Sequence, residues 1–176
     1  MEPSFDRFPG GRFEPPTEFT PATLAPLIDE IAEFPARLRS VVEILAEQTL
    51  DQKTLPGVWT IRQVVHHVAD SHMNSFARFK LALTEEHPTI RPYDEGAWAG
   101  TPDGANAPVE HSLVLLEGLH ARWVMLLRSL DGADLQRRFH HPADKQDVAL
   151  GMAIASYAWH GRHHLAHIQA TLDAGD

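Results

Sequence analysis

Residues 148–172, VALGMAIASYAWHGRHHLAHIQATL, combine one apolar helical face with four histidines. The apolar residues recur with the 3.6-residue period of an α-helix, so they share one side of the segment. That side is centred on Leu150, Ile154, Gly161, Leu165, Ile168 and Leu172. Because an amphipathic helix buries its apolar side against another element, this segment predicts a helix that packs on the core.

Three earlier segments carry the same periodicity. The four predicted helices are about 20–48, 61–86, 109–130 and 148–172. Pro35 should kink or restart the first helix because proline removes a backbone donor. Thr60 is a candidate N-cap for the second helix. Since the sequence shows no strong alternating strand pattern, the predicted fold class is an all-α four-helix bundle.

The segments between the predicted helices are rich in helix-breaking residues. Residues 1–19 contain four prolines and predict an extended arm, and Pro56-Gly57 predicts a turn. Residues 87–107 hold three prolines and three glycines and form a loop long enough for a crossover between helices two and three. The polar segment 131–147 could form a short hairpin.

The composition restricts the class of protein. A chain of 176 residues predicts a single domain, 1–176. Its net charge of −9 argues against general nucleic-acid binding, which needs surplus positive charge. The absence of cysteine excludes disulfides, thiolate metal ligands and a cysteine nucleophile. We find no signal peptide and no stretch of about 18 or more apolar residues, so the expectation is no membrane and a cytoplasmic location.

The twelve histidines are clustered, with seven of them in the segments HHVADSH (66–72) and HGRHHLAH (160–167). In the last predicted helix, His160 and His164 form one i,i+4 pair, and His163 and His167 form another. Either pair could chelate a divalent ion through neutral imidazole nitrogens. A helical wheel places His160 and His164 closer to the apolar face, so this pair is favoured.

A catalytic zinc-type site takes three protein ligands and an open position, so a third ligand is needed. HHVADSH is the obvious donor, but helical spacing leaves His67 and His72 unresolved. Asp70 could orient a histidine or could be a solvated helix residue. Tyr157, on the ridge of His160 and His164, and His163 are further pocket candidates.

Three stretches, taken together and in order, closely resemble the YfiT-like branch of the DinB superfamily. They are WTIRQVVHHVADSHMNSFARFKLALTEE (59–86), IRPYDEGAW (90–98) and WHGRHHLAHI (159–168), and the similarity extends over roughly residues 20–172. The resemblance implies a metal-binding four-helix bundle from a family described as metal-dependent hydrolases and as bacillithiol S-transferases. The ligand pattern of the family maps onto His67, eight residues after Trp59, and onto His160 and His164.

Three histidines of this kind imply one divalent metal per chain, Zn²⁺ or Ni²⁺. Such an ion can lower the pKa of a bound water toward ~7 or can deprotonate a bound thiol. The resemblance favours the thiol route, in which bacillithiol or a similar small thiol attacks an electrophile. A hydrolase is the alternative, which the lack of an acidic residue between His160 and His164 mildly disfavours.

Two non-enzymatic interpretations also remain, a structural metal bundle and a stress-response metal-binding module. Both predict a closed coordination sphere, whereas an enzyme predicts an open position beside a pocket. The resemblance further implies a homodimer. Because the chain has no cysteine, any sulfur chemistry requires a thiol cosubstrate.

Overall fold

The computed structural model describes residues 7–54 and 59–174, and long helices dominate it. In chain order the elements are α1 (Pro21–Val42), α2 (Glu47–Leu50), α3 (Ile61–Thr84), α4 (Glu95–Ala99), α5 (Pro102–Asn106), α6 (Val109–Arg128), a 3₁₀ turn (Asp134–Gln136), β1 (Arg138–His141), β2 (Gln146–Ala149) and α7 (Leu150–Asp173). The four long helices form the bundle, so the predicted all-α fold is confirmed. Within the described ranges, no helix is both long and apolar enough to cross a bilayer.

The connection between α3 and α6 is a crossover, as its length predicts. His66 near the start of α3 hydrogen-bonds Ser112 near the start of α6, with 2.7 Å between His66 Nδ1 and Ser112 Oγ. Phe79 near the end of α3 contacts the ring of Trp123 further along α6. The two helices therefore run parallel, which requires the intervening chain to return along the bundle. Each of them packs against a different neighbour as well, α6 against α1 and α3 against α7.

Residues 87–107 are more ordered than a long loop would be. They contain α4 and α5, and the side chain of Asp94 caps α4 by accepting from the Ala97 N–H at 2.8 Å. Thr89 pairs with His140 of β1, which ties the segment to the hairpin. These helices have five residues each, too short for apolar periodicity to reveal them. The hairpin predicted within residues 131–147 is confirmed as β1 and β2.

The end predicted for the first helix is wrong, and the helix does not restart at Pro35. α1 ends at Val42 rather than near residue 48, and the chain turns before starting α2. No glycine or proline occurs at residues 43–46, so the sequence carries no signal for this turn. Pro35 does not divide the helix, because α1 continues through it to Val42. The carbonyl of Ile31, which a non-proline residue 35 would have bonded, pairs instead with Nδ1 of His120 at 2.6 Å.

The predicted cap of the second helix is confirmed. Of the predicted arm, residues 7–19 are described. Thr60 and Gln63 form a reciprocal capping box at the start of α3. Residues 7–19 contain no helix or strand and lie along α7, where the Trp159 indole N–H donates to the Gly11 carbonyl at 2.9 Å. Residues 1–6 and the predicted turn at Pro56-Gly57 lie outside the described residues.

Two buried histidines divide the apolar core into two clusters. One cluster contains Trp123 and the other contains Phe34. His72 of α3 and His120 of α6 lie between them, and each imidazole contacts both Phe34 and Trp123. We call this pair of rings the imidazole layer. Buried polar groups are costly without partners, so the layer needs hydrogen bonds of its own.

We expect Gly151→Ala to destabilise the protein. A Cβ at Gly151 would lie 2.4 Å from Cβ of Phe19. Phe19 lies at the end of the arm and packs against the start of α7 at this glycine. Overpacking of this kind costs about 1–3 kcal/mol. In contrast, Gly118 of α6 is exposed and has open space around it, so Gly118→Ala should stabilise the protein by about 0.5–1 kcal/mol. The free energy of unfolding from urea titrations measures both changes, and equal stability of the two variants would contradict the close contact with Phe19.

Candidate metal centre

Three histidines from two helices converge in the bundle. His67 of α3 and His160 and His164 of α7 each offer one ring nitrogen, and these nitrogens lie within 4.8 Å of one another. The ring centroids of His67 and His164 are 4.9 Å apart, and those of His160 and His164 are 4.5 Å apart. The structure therefore brings together the three residues selected from the sequence.

Local packing positions these side chains. The i,i+4 spacing places His160 and His164 on one face of α7. Beside them, a Cβ at Gly161 would lie 2.8 Å from Cδ2 of Phe34, so the absence of a side chain lets α7 approach α1 closely. On α3, the ring of Trp59 packs against His67 with 4.5 Å between the centroids. The capping box of α3 starts the helix immediately after this tryptophan.

The three histidines carry no charge at neutral pH. Burial lowers the pKa of His67 to about 4. Burial, followed by the neighbouring imidazoles, holds the pKa values of His160 and His164 well below their ordinary value. Neutral imidazoles keep a lone pair available for a metal. Three such nitrogens fit a site for a divalent metal that retains an open position.

A cavity of about 440 Å³ lies against His160. Its polar lining residues include Ser71, Arg78, Tyr93, Glu95 and Tyr157. The Tyr157 ring is 5.5 Å from that of His160, and its hydroxyl lies 3.5 Å from Ser71 Oγ. The sequence candidate Tyr157 therefore contacts both a histidine of the group and the cavity. The cavity therefore has room for a small molecule beside His160.

The other two sequence candidates lie in different surroundings. Among the described residues, no histidine hydrogen-bonds the Asp70 carboxylate, and its pKa is raised to about 6 by burial and then by Asp103. His163 stacks on Trp159 with 4.6 Å between ring centroids and an interplanar angle of 18°, on the side covered by the arm. Burial lowers the pKa of His163 to about 4.

The sequence offered Asp70 as a residue that orients a histidine of the group, but in the structure another histidine contacts His160. Nε2 of His72 lies 3.1 Å from Nδ1 of His160, and Nδ1 of His72 lies 2.8 Å from Nε2 of His120. Helical spacing had left His72 as an alternative to His67. His72 is therefore the partner of a histidine in the group rather than a member of it. His120 was not among the sequence candidates. Its signal was its position on the apolar face of α6, between Leu116 and Trp123, where a polar residue needs a partner.

The family assignment agrees with this geometry. The chain matches the DinB superfamily over residues 30–168, a range that includes all three histidines of the group. It is 51% identical over 162 residues to a Bacillus cereus protein named "Putative metal-dependent hydrolase", with 92% of each chain covered. A Bacillus mycoides protein with a name of the same form is 50% identical with the same coverage.

A solved structure shows the same architecture. It is described as "YfiT from Bacillus subtilis is a probable metal-dependent hydrolase with an unusual four-helix bundle topology". The two structures match with a TM-score of 0.93 and 44% sequence identity, over 96% of this chain and 97% of YfiT. The resemblance stated from the sequence is confirmed, and this protein belongs to the DinB superfamily.

Proposed function

We propose that this protein is a metal-dependent enzyme that transfers a low-molecular-weight thiol to an electrophile. In this proposal His67, His160 and His164 bind one divalent metal, Zn²⁺ or Ni²⁺. The observation that carries the proposal is the convergence of three neutral imidazoles, one of which, His160, lines a cavity of about 440 Å³. Bacillithiol is the thiol that the family resemblance suggests.

The chain supplies a site that favours thiolate. A divalent metal contributes two positive charges, which favour the deprotonated form of a thiol bound beside it. Because the three imidazoles are neutral, they leave this charge uncompensated. The thiol proton would leave to solvent, and the sulfur would form a bond to carbon of the electrophile. The leaving group would depart with the bonding electrons or, where a ring opens, its heteroatom would keep them and take a proton from solvent. The chain itself contains no cysteine, so this sulfur comes from a cosubstrate.

Arg78 gives the cavity a cation for orienting an acidic group. It is partly buried on the cavity wall, where the Glu95 carboxylate interacts with it electrostatically without forming a direct ion pair. A guanidinium presents a planar set of donors that matches a carboxylate or phosphate. We infer that Arg78 binds an acidic group on the thiol or the electrophile and thereby turns the reacting atom toward the three histidines.

A hydrolase is the second candidate, since relatives and YfiT carry that description. Glu95 lines the same cavity as His160, and burial raises the pKa of its carboxyl. A carboxylate in that position could serve as a general base for water. The two candidates share the three-histidine site and differ only in the nucleophile, so substrates can separate them.

We expect His160→Ala to lose bound metal and activity together. The remaining two imidazoles make a weak site, because three protein ligands are normal for a catalytic zinc-type ion. Elemental analysis of the purified variant measures the metal per chain. His111→Ala, which removes an exposed histidine from α6, is the matched control and should keep its metal. Unchanged metal content in His160→Ala would contradict the ligand assignment.

A nucleophile screen should separate thiol transfer from hydrolysis. Metal-loaded protein is offered bacillithiol, glutathione, mycothiol or cysteine with a generic electrophile, and thiol loss is followed. We expect faster consumption of at least one thiol than with metal-free protein. If no thiol is consumed faster while ester or amide substrates are cleaved, the enzyme is a hydrolase.

We expect the metal-free protein to lose stability as the pH falls from 6.5 toward 4. The unfolded chain protonates its histidines near pH 6.5, whereas burial holds the pKa values of folded His67 and His120 at about 4. The unfolded state therefore binds more protons in this window, and acid favours it. Asp70, with a folded pKa of about 6, acts in the opposite direction, but it is a single half-buried group.

The measurement is the urea midpoint at about pH 7 and about pH 5, with and without Zn²⁺. Zinc should raise the midpoint at the higher pH by binding the folded state, and acid should reduce this gain because protons compete for the ligands. A metal-free midpoint that is equal or higher at the lower pH would contradict the burial of neutral histidines.

A further inference from the structure

A chain of hydrogen bonds leads from the three-histidine group through the imidazole layer to a backbone carbonyl. Nδ1 of His160 lies 3.1 Å from Nε2 of His72, and Nδ1 of His72 lies 2.8 Å from Nε2 of His120. Nδ1 of His120 then lies 2.6 Å from the carbonyl oxygen of Ile31. The chain thus joins α7, α3, α6 and α1 in turn.

The carbonyl at one end determines the direction of every bond. A carbonyl oxygen only accepts, so Nδ1 of His120 must carry the proton. A neutral imidazole has one N–H, which leaves Nε2 of His120 as an acceptor for the Nδ1–H of His72. By the same reasoning Nε2 of His72 accepts from the Nδ1–H of His160. Nε2 of His160 is then the nitrogen with a free lone pair.

Pro35 makes the carbonyl of Ile31 available. In an α-helix this oxygen would accept from the N–H of the residue four positions later, which is Pro35 and has none. The oxygen is therefore free of its helical partner inside a continuous α1. His120 fills the position that the helix leaves empty.

Water has little access to the imidazole layer. His72 is 1% exposed and His120 is 2% exposed, and their rings are packed between Phe34 and Trp123. Reversing the hydrogen bonds would point an acceptor nitrogen at the Ile31 oxygen, with no solvent to compensate. The direction inferred from the carbonyl is therefore the one that satisfies all the groups in the chain.

We propose that His72 and His120 are positioning residues that hold His160 as its Nδ1–H tautomer, with Nε2 reserved for the metal. This proposal rests on the metal site of the proposed function. The partner of a metal-ligating histidine fixes its tautomer and ring orientation. Here that partner is His72. It is held through His120 by the Ile31 carbonyl on α1, a helix that contributes no ligand to the group.

The first test is the tautomeric state of the wild-type protein without metal. Long-range ¹⁵N–¹H NMR spectra at neutral pH distinguish an imidazole protonated at Nδ1 from one protonated at Nε2. We expect His120, His72 and His160 all to be protonated at Nδ1. Protonation of any of these rings at Nε2 alone overturns the proposal. This measurement needs no variant, and it does not depend on the ability of the protein to bind a metal.

The second test is the Zn²⁺ affinity of variants remote from the three ligands. His120→Phe keeps a ring in the layer but removes both hydrogen bonds, and we expect Zn²⁺ affinity to fall by about 10-fold or more. Trp123→Phe is the packing control, because it alters a ring against the same histidines and leaves the hydrogen-bond chain intact; its affinity should be unchanged. His120→Gln offers one donor and one acceptor and should recover part of the loss.

The outcomes separate this proposal from the proposed function. Wild-type affinity in His120→Phe, or an equal loss in Trp123→Phe, overturns the positioning role. If His120→Phe does not fold, the NMR spectra of the wild type decide the question. If the wild-type protein binds no Zn²⁺ or Ni²⁺, the proposed metal function fails, while the spectra still report the direction of the hydrogen bonds.

Discussion

The bundle depends on the requirement that imidazoles buried away from water find hydrogen-bond partners in the protein. His72 and His120 interrupt an otherwise apolar core and would be costly if left unpaired. They pair with each other, and they reach His160 on one side and the Ile31 carbonyl on the other. One requirement thereby links the four long helices to the group of three histidines.

This arrangement connects a helix irregularity to the chemistry of the site. Pro35 removes one helical hydrogen bond from α1, which by itself is normally a loss of stability. Inside the bundle, the freed carbonyl becomes the acceptor that orders the imidazole layer. The close approach of α7 to α1 depends on Gly161, where a side chain would collide with Phe34. The site is thus supported from α1, a helix that contributes none of the three histidines.

Much of the bundle could be predicted from apolar periodicity, because burial of one face determines most of a long helix. The bounds predicted for α3, α6 and α7 lie within two residues of those observed. The end of α1 could not be predicted, since apolar residues continue beyond Val42 with no helix breaker. Helical geometry likewise singled out His160 and His164, because a spacing of four residues places two side chains on one face before any tertiary contact exists.

By itself, the sequence determined the four helices, the pairing of His160 with His164 and, through its missing cysteine, the need for an external thiol in any sulfur chemistry. Helical spacing left His67 and His72 as alternatives, and only the family resemblance favoured His67. The tertiary structure places His67 beside this pair, whereas His72 lies behind His160. It also decided the role of His120, which is 40 residues from His160 in the chain. The physical reason is that spacing along one helix specifies a face, whereas contacts between faces depend on how the helices cross and rotate against each other.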